Sequence, residues 1–160
     1  MSDRFFIDCE FDGHGGPLLS IAIVSEHPDG ISAHIKVSDA PVPRDHWVTE
    51  NILPILDRHD ADLIWDVRLN DVGDCLRHAL EHAERPTIIA DSPVDISRFC
   101  QAISTGADGG WASADYPMMT FEVHNVDCWP NDLVGAVQHN AWWDAIALRH
   151  KLAKWEGNAL

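Results

Sequence analysis

Asp8 and Glu10 stand one residue apart inside Arg4-Phe5-Phe6-Ile7-Asp8-Cys9-Glu10-Phe11, the first apolar run of the chain. In a strand, residues two apart share a face. Two carboxylates on one face of an apolar strand repel each other and lose hydration. A divalent cation between them is the usual compensation, so the pair predicts a bound metal. One such pair is expected by chance in so acidic a chain. Its placement inside an apolar run is what distinguishes it.

Three further groups carry possible chemistry. His139 and Asp144 form an H-x4-D pair. If Asn140 caps a helix, His139 lies on the loop before it and Asp144 in its second turn, at the border of the buried stripe. A second pair of this spacing, His34 and Asp39, reads as a decoy at the end of a strand. Asp91 and Asp95 flank a helix start. Asp91 reads as its N-cap, and Asp95 lies in the first turn, where the helix dipole favours a carboxylate. Trp142 and Trp143 are of a type that stacks on nucleic-acid bases, although tryptophans in a small domain more often belong to the core. His78 and His82, four apart, have a chelating spacing but read as a solvated helix face. Arg149, His150, Lys151 and Lys154 form the one local basic cluster.

The elements that must position these residues follow from periodicity. Residues 4–11, Leu18–Ser25 and Ile31–Val37 read as strands joined by glycine turns, an antiparallel meander. His46–Leu56 has helical spacing interrupted by Pro54. Asp71–Glu84 reads as an amphipathic helix. Pro86–Ala90 reads as a buried strand, followed by a helix through Ile103 with Pro93 near its start. Met118–Val123 reads as a last strand and Trp142–Lys154 as the closing helix. The expectation is a single α/β domain over residues 1–160, with one mixed five-stranded sheet flanked by helices.

The chain has 160 residues, 46% of them apolar and 23% charged, an ordinary globular balance. No apolar run approaches the roughly 18 residues of a membrane span, and no secretory signal is evident at the N-terminus. Cys9, Cys75, Cys100 and Cys128 lack C-x-x-C spacing and predict reduced thiols in a cytoplasmic protein. The net charge of -15 argues against a nonspecific nucleic-acid coat protein. It is compatible with an enzyme that grips phosphates through metal ions, on a substrate that is short or held at one end.

Taken in order, four segments resemble the DEDDh 3′–5′ exonucleases of the ribonuclease-H-like superfamily. They are Phe-Ile-Asp8-Cys-Glu10-Phe, Leu19-Ser20-Ile21-Ala22-Ile23-Val24, Ile88-Ile89-Ala90-Asp91-Ser92-Pro93-Val94-Asp95 and His139-Asn140-Ala141-Trp142-Trp143-Asp144-Ala145. The opening and the Trp-Val-Thr-Glu-Asn-Ile-Leu-Pro stretch look closest to the small bacterial exoribonuclease-like branch. The resemblance implies a ribonuclease-H-like fold and two Mg²⁺ or Mn²⁺ ions held by Asp8, Glu10, Asp95 and Asp144. It further implies His139 as general base and hydrolysis of single-stranded nucleic acid, RNA favoured, from the 3′ end to 5′-mononucleotides. Family members often form homodimers. Asp91 falls where many members have asparagine. Phe11 replaces their threonine or methionine after D-x-E, and with Trp142 it is the candidate contact to substrate. A catalytically silent nucleic-acid-binding module and a metal-dependent endonuclease on the same fold are the other readings of these residues.

Overall fold

A computed structural model describes residues 3–112, 116–127 and 129–157 of the chain; Cys128 lies outside them. Strands β1 (Arg4–Phe11), β2 (Leu18–Ser25) and β3 (Ala33–Val37) form the expected antiparallel meander. The β1–β2 turn closes with the Asp12 amide donating to the Pro17 carbonyl at 2.9 Å. Gly13 and Gly15 take φ of 61° and 76° there, angles that residues with a Cβ adopt only at a cost. The β1–β2 register shifts between Glu10 and Phe11. Such irregularities turn side chains away from the regular alternation, often beside a functional site.

Helix α1 (His46–Asn51) starts at Asp45, whose carboxylate accepts the Trp47 amide at 2.8 Å. It ends before Pro54, and the chain continues as a short 3₁₀ turn, Leu53–Ile55. A strand that sequence reading does not anticipate follows, β4 (Ile64–Val67), pairing parallel with β3. Helix α2 spans Val72–Ala79, shorter than the predicted 71–84, because the chain turns at Leu80 and must be extended before Pro86. Strand β5 (Thr87–Ala90), helix α3 (Pro93–Ile103), strand β6 (Thr120–Val123) and helix α4 (Ala141–Trp155) complete the chain.

The sheet therefore has six strands in the order β4-β3-β2-β1-β5-β6, not five. β5 pairs parallel with β1, and β6 parallel with β5. The additional strand is four residues long at a sheet edge and alternates exposed with half-buried positions. It lacks the apolar run that marks the inner strands.

Alternation along β1 divides the core. Phe5, Ile7 and Cys9 face α2 and α3, where they join Leu76 and Phe99. Phe6 faces α4 and joins Ala145, Leu148 and Leu152. Strand β2 is buried at every residue because both of its faces are covered. The α2–α3 crossing is close at Gly73, where a Cβ would lie 2.4 Å from the Ala102 carbonyl. No described helix is long and apolar enough to cross a membrane.

His34, on β3, is 0% exposed, and neither ring nitrogen has a hydrogen-bond partner among the described residues. The His59 ring meets it edge-on at 4.5 Å between centroids. Burial, then the neighbouring His59 and Lys36, lowers the His34 pKa from 6.5 to about 3. The folded protein thus binds fewer protons here than the unfolded chain, and His34 subtracts stability as pH falls from 6.5 towards 3. His34→Leu should flatten that loss, read as Tm against pH. Superimposable profiles for variant and wild type would show that His34 is not held neutral.

Candidate metal centre

The β1–β5 register fixes the site. Phe6 lies level with Ile89, so the chain leaves β5 roughly level with Asp8. Asp8 and Glu10 share the Phe6 face, on which α4 packs. Helices α3 and α4 begin at this same end of the sheet. The carboxyl ends of parallel strands and the start of the next helix are where α/β folds place their ligands.

Both helix starts are set by capping chemistry. Ser92 accepts the Val94 amide at 3.1 Å, and Pro93 occupies the first turn. Asp95 then falls one turn in, 4% exposed. The Asn140 side-chain oxygen accepts the Trp142 amide at 3.2 Å. Its amide nitrogen donates to the carbonyls of Ile55 at 2.8 Å and Leu56 at 3.2 Å. Asn140 therefore anchors the start of α4 to the segment after α1. Asp144 lies in the first turn of α4. Two positive helix ends thus face the acidic pair.

The result is an open cleft of about 300 Å³ lined by Asp8, Glu10, Asp91, Asp95, Asp144 and His139, with Phe11 and Trp129 at its walls. Ligand oxygens of Asp8, Glu10 and Asp144 all lie within 4.8 Å of one another, as do those of Asp8, Asp91 and Asp95. Asp8 is common to both groups. No lysine or arginine lines the cleft among the described residues.

Electrostatics record the crowding. Burial, followed by repulsion from Asp95, Glu10, Asp144 and Asp91, holds the Asp8 carboxyl well above its ordinary range. Burial and then Asp144 and Asp95 push Glu10 to about 8. Asp95 rises to about 7 through burial and then Asp91. Asp144 also rises to about 7 through burial, although backbone hydrogen bonds at Asn140 and His139 oppose the shift. Glu10 is only 9% exposed, yet no hydrogen-bond donor serves its carboxylate among the described residues. An all-oxygen donor set of this kind suits hard cations such as Mg²⁺ or Mn²⁺.

His139 borders the cleft with φ of 58°, the one non-glycine residue in the left-handed region among those described. Such a conformation persists only when its surroundings impose it. Here the Asn140 anchor follows directly, and Trp47 meets the imidazole edge-on at 4.9 Å. Phe11 lies on the cleft wall, with the Arg98 guanidinium over its ring at 5.0 Å.

Two expectations need correction. Trp142 is 7% exposed, and its indole nitrogen donates to Asp60 at 2.9 Å. It belongs to the α4 core and is not a stacking surface; Trp129, 51% exposed, lines the cleft instead. Asp91 is not the α3 cap, because Ser92 is. The signal was present in the sequence: proline favours the first helical position, which puts the cap at the residue before Pro93. Trp129 stands in an irregular stretch with no periodicity, so nothing in its context marked it. His78 and His82 stay on an exposed face beside Glu81.

Because the folded pKa values of Glu10, Asp95 and Asp144 exceed their ordinary values of 4.5, 3.8 and 3.8, the folded protein holds more protons than the unfolded chain. Without a cation it should lose stability as pH rises from about 4 to about 8. Mg²⁺ or Mn²⁺ should restore that loss increasingly above pH 7, by about 2.7 kcal/mol at 100 times its Kd. Asp8→Asn should stabilise the cation-free protein by about 1–2 kcal/mol and remove the cation-dependent rise in Tm. A rise that survives in Asp8→Asn would rule out Asp8 as a ligand. No protein-family model and no curated protein matches this chain.

Proposed function

We propose that the cleft is a two-metal hydrolytic centre that removes nucleotides from the 3′ end of short single-stranded nucleic acid, RNA in preference to DNA. The observation that carries this reading is the sharing of Asp8 between two groups of close carboxylates, in a cleft that no lysine or arginine lines among the described residues. The antiparallel meander continued by parallel strands, with helices on both faces, supports a ribonuclease-H-like placement. The unpaired thiols of Cys9, Cys75 and Cys100 suit a cytoplasmic setting.

Two divalent cations, when bound, would offset the carboxylate repulsion, lower the pKa of the attacking water and stabilise the leaving 3′-oxygen. Asp8 would contribute to both sites, Glu10 and Asp144 would hold one ion with it, and Asp95 and Asp91 would hold the other. His139 takes the proton of the attacking water as general base. Its position on a constrained backbone limits its swing, which suits a group that must meet a water in one orientation. Phe11, steadied by Arg98, forms an apolar wall against the terminal base. The product is a 5′-mononucleotide.

A 5′-labelled RNA incubated with Mn²⁺ should yield a ladder shortening from its 3′ end. Internal cuts would favour an endonuclease, and an intact substrate would leave only a binding module. His139→Ala should lower kcat by about 10²–10⁴-fold while the cation-dependent Tm rise persists. Equal activity of variant and wild type would remove His139 from the mechanism.

A further inference from the structure

Trp129 has two neighbours of opposite character. On one side is the acidic cleft; on the other is a groove of about 320 Å³ between the last turns of α4 and the segment that leads from β6 to α4. Lys151, Lys154, His150 and Trp155 line that groove. Trp155 is 68% exposed. Two exposed indoles, Trp129 and Trp155, thus line a groove that shares Trp129 with the cleft.

Most cations outside the groove are engaged, and Arg44, Arg58 and Arg85 are the exceptions among the described residues. Arg4, Lys36, Arg68 and Arg77 are held by acidic partners, and Arg98 and Arg149 donate to backbone carbonyls. In the groove, Lys151 lies 3.7 Å from Asp127 and balances it. The Lys154 ammonium has no ion pair or hydrogen bond among the described residues. Asp132 is the remaining acid on the wall. Beside a cleft of five carboxylates, the groove carries about as many cations as anions, with the unengaged Lys154 ammonium in its lining.

We propose that this groove binds the nucleotides on the 5′ side of the one being removed, as a single-stranded track running from Trp129 to Trp155. The inference rests on the hydrolytic reading of the cleft. A cleft of this volume is at the small end for ligands, so a longer substrate must leave it. Beyond the cleft the groove offers the rings of Trp129 and Trp155 for bases and Lys154 for a phosphate. Stacking on exposed aromatics combined with backbone neutralisation is how single strands are held without sequence preference. An RNA and a DNA strand both offer that chemistry, and the track distinguishes neither.

The test uses the full chain with Mg²⁺, a fluorescein-labelled, phosphorothioate-linked pentanucleotide for binding by anisotropy, and an unmodified dinucleotide for turnover. Lys154→Glu should weaken pentanucleotide binding by about fivefold or more and reduce the salt dependence by about 0.7 in the log–log slope. Trp155→Ala should weaken binding to a similar degree with the slope unchanged. Dinucleotide turnover should be unaffected by either. Arg85→Glu makes the same charge change at an exposed site before β5 and should leave binding within about twofold. The track is overturned if Arg85→Glu weakens binding as much as Lys154→Glu, if neither weakens it, or if the wild type does not bind. Groove-dependent binding without mononucleotide release would keep the track and remove the hydrolytic reading. Release with binding indifferent to Lys154 would do the reverse.

Discussion

Like-charge repulsion around Asp8 is the constraint to which the rest of the molecule answers. Five carboxylates converge on one cleft, and no lysine or arginine lines it among the described residues. In water such a set would disperse; partial burial prevents that and raises the pKa of each group for which a shift is resolved. The fold opposes the repulsion only weakly, through the positive ends of α3 and α4 and the backbone hydrogen bonds at Asp144. A cation held here would relieve that repulsion, which would couple its binding to the stability of the fold.

Holding such a cluster in place needs rigid support. Asp8 and Glu10 sit on β1, which has β2 on one side and β5 on the other and packs helices on both faces. Asp95 and Asp144 sit in first helical turns, each located by a capping side chain one turn earlier. The loop before α4 is the part that regular structure does not hold. There Asn140, 0% exposed, ties it to the carbonyls of Ile55 and Leu56. Trp142 and Trp143 add indole hydrogen bonds to Asp60 and to the Arg58 carbonyl. The irregular segment after α1 thus serves as a brace for His139. Its role is mechanical, and it explains why two tryptophans at the helix start are buried.

Charge is distributed with the same economy. Most cations of this acidic chain are engaged in internal pairs or on backbone carbonyls, so little general attraction for nucleic acid remains. On the proposed function, recognition would be local: ions in the cleft, an aromatic wall at Phe11, and the groove beyond Trp129. On that reading short substrates would be favoured, because each added phosphate meets the -15 background unless a specific group receives it.

Much of this was legible in the chain before its fold. Alternation over residues 4–11 and the glycine turns specify the meander, and Asn140 and Pro93 mark two helix starts, because these signals are local and act through backbone geometry. The i, i+2 spacing alone puts Asp8 and Glu10 on one face. Strand β4 was not legible, since an edge strand of four residues draws its stability from pairing with β3 and not from its own pattern. Asp91 and Trp142 exchanged expected roles for a related reason: Ser92 took the cap, and the core took the indole. Sequence by itself determined which residue types could do chemistry and which element each one rides. Only tertiary structure decided that Asp8 is shared by two groups, that Asp91 joins one of them, and that Trp129 stands between cleft and groove. Those facts depend on strand order and helix docking, which bring together residues more than 80 positions apart in the chain.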